Sequence, residues 1–188
     1  MQGSTTAVKK SFTTKEIVLT AMFTAIIAVC AWISIPAGPI HFNLQLFGIF
    51  CAAGIIGGRN SLFSVIAYLL LGAAGLPVFD GFSGGIGALL SNSGGYLIGF
   101  IFIPLLCMTG EKFFGNGIIV RIISFLLGLA ICYVFGTAWF IYAYSRGADT
   151  VTLSQALKWC VTPFVPFDLL KMILSIVISD RVKKYAKL

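Results

Sequence analysis

Apolar residues in this chain run in long unbroken stretches, separated by short breaks rich in glycine, proline or charge. They show neither strict alternation nor a one-sided stripe. Such runs read as helices surrounded by apolar material on most sides, and a bilayer core roughly 30 Å thick takes about 20 such residues per helix. The first span covers about 16–35 and stops at Pro36-Ala-Gly-Pro39. A second, about 43–57, closes on Gly57-Gly58-Arg59-Asn60, and a third covers about 61–72. A long glycine-rich stretch follows, Gly72 to Gly95, with Asp80 as its only charge. Further spans lie at about 96–109, 118–144 and 163–178. The expectation is an all-α, polytopic membrane domain of six helices occupying 1–188, with polar tails at 1–14 and 179–188.

Composition removes the competing classes. The chain has 188 residues, of which 59% are hydrophobic and 10% charged, with mean hydropathy +1.01. Soluble domains run at about 45–50% apolar and about 25% charged. A soluble enzyme and a disordered chain are excluded. The net charge of +7 would suit nucleic acid, but its placement points to lipid headgroups. Lys9, Lys10, Lys15, Arg59, Lys112, Arg121, Arg181, Lys183, Lys184 and Lys187 fall in segments that six spans put on one side. Arg146 and Lys158 fall on the other, and Lys171 lies within a span. The positive-inside rule then puts both termini in the cytoplasm. The first apolar run is too long for a cleavable signal peptide, and Pro36 to Pro39 offer no small-residue cleavage site.

The candidate chemistry is sparse. Cys30, Cys51, Cys107, Cys132 and Cys160 are scattered, and His41 is the single histidine, so neither a disulfide framework nor a zinc site is expected. No Gly-Lys-Ser or Gly-Lys-Thr occurs, so the chain has no P-loop of its own. Asp168 and Lys171 form the one pair of charges plainly inside an apolar run, three residues apart and therefore on one helix face. An intramembrane acid and base either neutralise each other or receive a ligand. The glycine-rich stretch is too apolar for a solvated linker, and irregular backbone at membrane depth is tolerated where it lines a cavity. Asn92, just beyond the run from Gly72 to Gly87, brings a donor and an acceptor. His41 and Gln45 bracket the entry to the second span, while Trp32, Trp139, Phe140, Tyr142, Tyr144 and Trp159 suit an interfacial belt. Ala21 and Ala25, extended by Ala28, make a small-residue face on the first span where another helix can approach.

Several of these segments together resemble a known family. Gly75-Leu-Pro-Val-Phe, the following Gly-Phe-Ser-Gly-Gly-Ile-Gly, Gly94-Gly-Tyr-Leu-Ile-Gly-Phe, Gly136-Thr-Ala-Trp139, Pro166-Phe-Asp-Leu-Leu-Lys171 and Leu44-Gln45 are similar to the BioY family. These are the biotin-specific substrate-binding (S) components of energy-coupling-factor transporters. The resemblance extends from the first span to the sixth. It departs at Ser91-Asn92-Ser93, where members often have Gly-Pro, and at Asn43, where they often have threonine or serine.

The resemblance implies an S-component fold in a bacterial plasma membrane and a biotin pocket opening to the outside, capped by the first and third external loops. It implies Asp168, Lys171, Asn92 and Gln45 as polar ligand contacts and Tyr96 and Trp139 as aromatic neighbours of the ring. In the expected division of labour, Lys171 neutralises the valerate and Asp168 accepts from the ureido N–H groups. Partners are implied too: a transmembrane coupling (T) component, met by Ala21 and Ala25, and two ATP-binding-cassette ATPases. The resemblance implies biotin as the ligand, and neither cofactor, metal nor nucleic acid is expected. An S component for a different vitamin and a self-sufficient secondary transporter remain the alternatives; a membrane enzyme would need a catalytic cluster that one histidine and isolated carboxylates do not supply.

Overall fold

The computed structural model describes residues 12–37, 40–146 and 150–186, so the expected cytoplasmic charges Lys9, Lys10 and Lys187 lie outside the described residues. Helix α1 (Thr14–Trp32) starts from a reciprocal cap: the Thr13 hydroxyl accepts from the Glu16 N–H, and the Glu16 carboxylate accepts from the Thr13 N–H. Strands β1 (Ser34–Ala37) and β2 (Ile40–Asn43) follow as an antiparallel ribbon with Ile35 opposite Phe42. The apolar pattern predicts helix through residue 35, whereas residues 34 and 35 belong to this ribbon. Four-residue strands are too short for periodicity to reveal.

Helix α2 (Gln45–Ala73) contains two of the expected spans. Gly57, at φ 80° and ψ 164°, leaves the helical region and breaks it into limbs 45–56 and 58–73. The second limb returns to the end where the first began. His41, ahead of the first limb, meets Asp80, beyond the second. Gly48 abuts Cys30 near one end of α1, while the Ser64 hydroxyl donates to the Thr20 carbonyl at 3.0 Å near the other. The reversal is tight because Gly58 has no side chain; a Cβ there would collide with the Met108 backbone.

A 3-10 turn (Asp80–Phe82) and α3 (Ile86–Leu89) punctuate the glycine-rich stretch. Helices α4 (Gly94–Gly99) and α5 (Phe102–Phe114) together make one apolar span, Gly94–Phe114. Helix α6 (Ile118–Tyr144) is the longest unbroken span, and α7 (Leu153–Cys160) leads through a 44° bend into α8 (Val165–Ala186). With the limbs of α2 counted separately, α1, α4–α5, α6 and α8 complete a six-helix bundle. Helix α2 is its centre: it packs on α1, α5 and α8 and is more deeply buried than α1, α4–α5 or α6.

On α1, Ala21 and Ala25 are exposed, flanked by Val18, Met22 and Val29. Ala28 corrects the expected face. It is buried in the core although it shares a helix face with Ala25, so the outward small-residue face ends at Ala25.

Candidate ligand-binding site

At the ribbon end, the bundle encloses a cavity of about 510 Å³. Such a volume suits a compact organic molecule. Its walls come from β2, the first turn of α2, the segment 79–93, α4, α6, α7 and α8. Much of the lining is apolar, including Leu46, Leu97, Phe100 and Leu129. The buried charges lie where α8 meets β2 and α6.

Helix α8 supplies the charges. Pro166 sits in its first turn, where a missing N–H is tolerated. Asp168 lies in the same first turn and Lys171 three residues beyond it, at 2% and 7% exposure. Lys171 Nζ donates to Asp168 Oδ1 at 2.8 Å and to the Asn43 carbonyl at 2.7 Å, and stands 4.3 Å from the centre of the Phe42 ring. The second Asp168 oxygen accepts from the Tyr133 hydroxyl of α6 at 2.5 Å. Burying an ion pair demands additional hydrogen bonds to offset lost hydration, and each partner here has one. The two residues therefore neutralise each other and still form part of the cavity wall.

Gln45, the first residue of α2, lies beside them in the lining and is 1% exposed. Its backbone N–H donates to Asn43 Oδ1 at 3.1 Å, so residues 43–45 hold Lys171 through one carbonyl and Gln45 through one side chain. Tyr96 also lines the cavity. Its hydroxyl shares a hydrogen bond of 3.0 Å with Thr137, and its ring lies against Gly136, where a Cβ would collide with it. What Tyr96 offers a ligand is its ring.

Two expected contacts are not brought into the cavity. Asn92 is exposed, because the Gly94 N–H donates to the Ser91 carbonyl at 3.0 Å and closes a turn with Asn92 at its tip. Ser91 and Ser93, on either side, line the cavity instead. Trp139 sits behind the wall. It packs on Gly95, and its indole donates to the Ser91 carbonyl at 3.0 Å, so it braces the loop from outside.

Sequence reasoning missed Tyr133, Phe42 and the Asn43 carbonyl. Tyr133 alone carried a signal, being a tyrosine one turn before Gly136 within an apolar run, where its hydroxyl needs a buried partner. Loops border the mouth, where the lining residues Ser83, Gly84 and Ser91 are exposed. His41 of β2 contacts Asp80, and the Trp32 indole donates to the Pro77 carbonyl at 2.9 Å while stacking on Phe82.

A family model described as the BioY family matches residues 4–188. The Thermotoga maritima protein named biotin transporter BioY is 38% identical over 174 residues, which is 90% of this chain and 96% of that protein. A protein of Pyrococcus horikoshii, named probable biotin transporter BioY, is 34% identical over 169 residues, 90% of this chain and 96% of that one. A crystal structure described as the S-component for biotin from an ECF-type ABC transporter matches with TM-score 0.80 and 31% identity, covering 93% of this chain and 95% of that one.

Proposed function

The chain belongs to the BioY family, and from that premise we propose that it is the biotin-binding S component of an ATP-driven energy-coupling-factor transporter. It is a multi-pass membrane protein that takes biotin into the ribbon-end cavity and serves its uptake. The observation that carries this reading is the buried Asp168–Lys171 pair set in the wall of an otherwise largely apolar cavity.

Biotin has a matching layout. Its ureido group gathers two N–H donors and one carbonyl acceptor at one end, its fused rings are apolar, and a saturated chain carries a carboxylate away. Charges 2.8 Å apart are one unit, too close to serve both ends of such a molecule. The ureido end therefore meets Asp168 and its neighbours, with Tyr96 and the apolar wall against the rings. The carboxylate points toward the mouth, where hydration spares it the large desolvation cost of an unpaired buried anion. This revises the expected division between Lys171 for the valerate and Asp168 for the ureido group.

The chain binds and does not catalyse; power comes from partners, a T component and two ATPases. Ala21 and Ala25, outward on α1, are the docking face. Described basic residues Lys15, Arg59, Lys112, Arg121, Arg181, Lys183 and Lys184 belong to segments at the end opposite the ribbon, which becomes the cytoplasmic end. Isothermal titration of the purified chain with biotin, thiamine and riboflavin tests the reading. Saturable binding of biotin alone is expected; binding of another vitamin in its place would overturn it.

A further inference from the structure

Among the described residues, two buried oxygens without a hydrogen-bond partner are chemically complementary: the Tyr68 hydroxyl, which can donate, and Asp80 Oδ1, which accepts. One ring joins them. Tyr68 and Gly72 lie four residues apart on one face of the second limb of α2, and Phe79 packs on both. Its ring centre is 5.3 Å from that of Tyr68, edge to face, and a Cβ on Gly72 would collide with it. Phe79 is 1% exposed and anchors the turn at 79–83, while Asp80, next in the chain, lines the cavity. Beyond the turn, the Gly85 N–H donates to the Gly72 carbonyl at 2.7 Å, so the segment hangs from the end of α2 at both ends. The second Asp80 oxygen is on His41 of β2, and the Asp80 charge is felt at Tyr68. The turn is strained at one point: Phe82 has φ 55°, which a residue with a bulky side chain rarely adopts, and Trp32 stacks on it.

Resting on the biotin reading and deepening it, we infer that Tyr68 is a positioning residue for closure: its hydroxyl takes Asp80 Oδ1 when a guest fills the cavity, seating the 79–83 turn as a strap over the mouth. Two buried polar atoms left unpaired are unfavourable, and a small inward settling of the turn satisfies both at once. Each Asp80 oxygen then has its own partner, His41 on the ribbon and Tyr68 on α2, so one carboxylate ties ribbon, turn and bundle together. The guest supplies the bias between the two positions, as a ligand shifts such an element only through a difference in interaction. Its carboxylate points toward the mouth, where Asp80 carries the same charge, and the repulsion drives Asp80 inward to Tyr68. Tyr68 is fully buried and does not line the cavity, so it acts through Asp80 and not on the guest.

The test uses the full chain in detergent and reads association and dissociation of tritiated biotin, together with thermal melting without ligand. Tyr68→Phe should release biotin at least about fivefold faster, with association little changed. Its melting without ligand should not fall, since the substitution deletes a buried hydroxyl that has no partner there. Asp80→Ala should also release biotin faster, and Tyr68→Phe added to it should change nothing further, because both act through one bond. An unchanged release rate in Tyr68→Phe, with tight biotin binding, overturns the role of Tyr68 and leaves the biotin reading standing. So does lowered melting without ligand, which assigns the hydroxyl a structural partner, and so does an additive effect on top of Asp80→Ala. A wild-type chain that binds no biotin overturns both.

Discussion

The Tyr133 hydroxyl donates to Asp168 Oδ2 at 2.5 Å, joining α6 to α8 across the floor of the cavity. This bond fixes the carboxylate while Lys171 occupies its other oxygen. Tyr133→Phe removes the hydroxyl donor and leaves Asp168 with an under-satisfied buried oxygen, a loss of about 1–3 kcal/mol in stability. Biotin affinity should fall by about tenfold as the carboxylate loses its orientation. Thermal melting in detergent and isothermal titration check the two effects separately.

Asp168 and Lys171 can be separated into their structural and recognition roles. Asp168→Asn and Lys171→Ala should each weaken biotin binding by at least about tenfold. Lys171→Ala also strands a buried carboxylate, lowering stability by about 3–5 kcal/mol. In the double variant Asp168→Asn with Lys171→Met no charge is stranded, so stability should recover while binding does not. Recovery of both would mean that the pair only holds helices together.

Trp32 ends α1 and grips the segment over the cavity through the Pro77 carbonyl and the Phe82 ring. Trp32→Phe keeps a ring and removes the donor. Biotin should dissociate several-fold faster, with association little changed, since the closed loop retains the guest. Stopped-flow displacement with excess unlabelled ligand measures this; an unchanged dissociation rate would show that the mouth closes by other contacts.

Ala21 and Ala25 are outward and distant in the chain from every cavity-lining residue. Replacing both with leucine should abolish vesicle uptake driven by ATP and partner subunits while leaving biotin titrations unchanged. Uptake at the wild-type level would remove this face from docking. Accumulation by the wild-type chain alone, without any ATPase, would contradict the need for partners.

Six spans were legible in the sequence because long apolar runs survive as helices, and Gly57 broke α2 between the spans read at 43–57 and 61–72. Asp168 and Lys171 were legible for the same reason that they are buried: charges inside an apolar run have few places to go. Asn92 was misplaced because one backbone hydrogen bond, from Gly94 to Ser91, decides which turn residue faces the cavity. Trp139 was misplaced because Gly95 lets it pack behind the wall. The Asn43 carbonyl had no side-chain signature at all; it became a ligand of Lys171 only through the β ribbon, whose short strands carry no readable period.

The central claim is that the Asp168–Lys171 pair receives the guest. A high-resolution structure of the biotin-loaded chain tests it most directly. The account predicts a ureido N–H within hydrogen-bond distance of Asp168 and the carboxylate toward His41 and the mouth. Biotin lodged elsewhere, with Asp168 and Lys171 clasped and touching no part of it, would contradict the account.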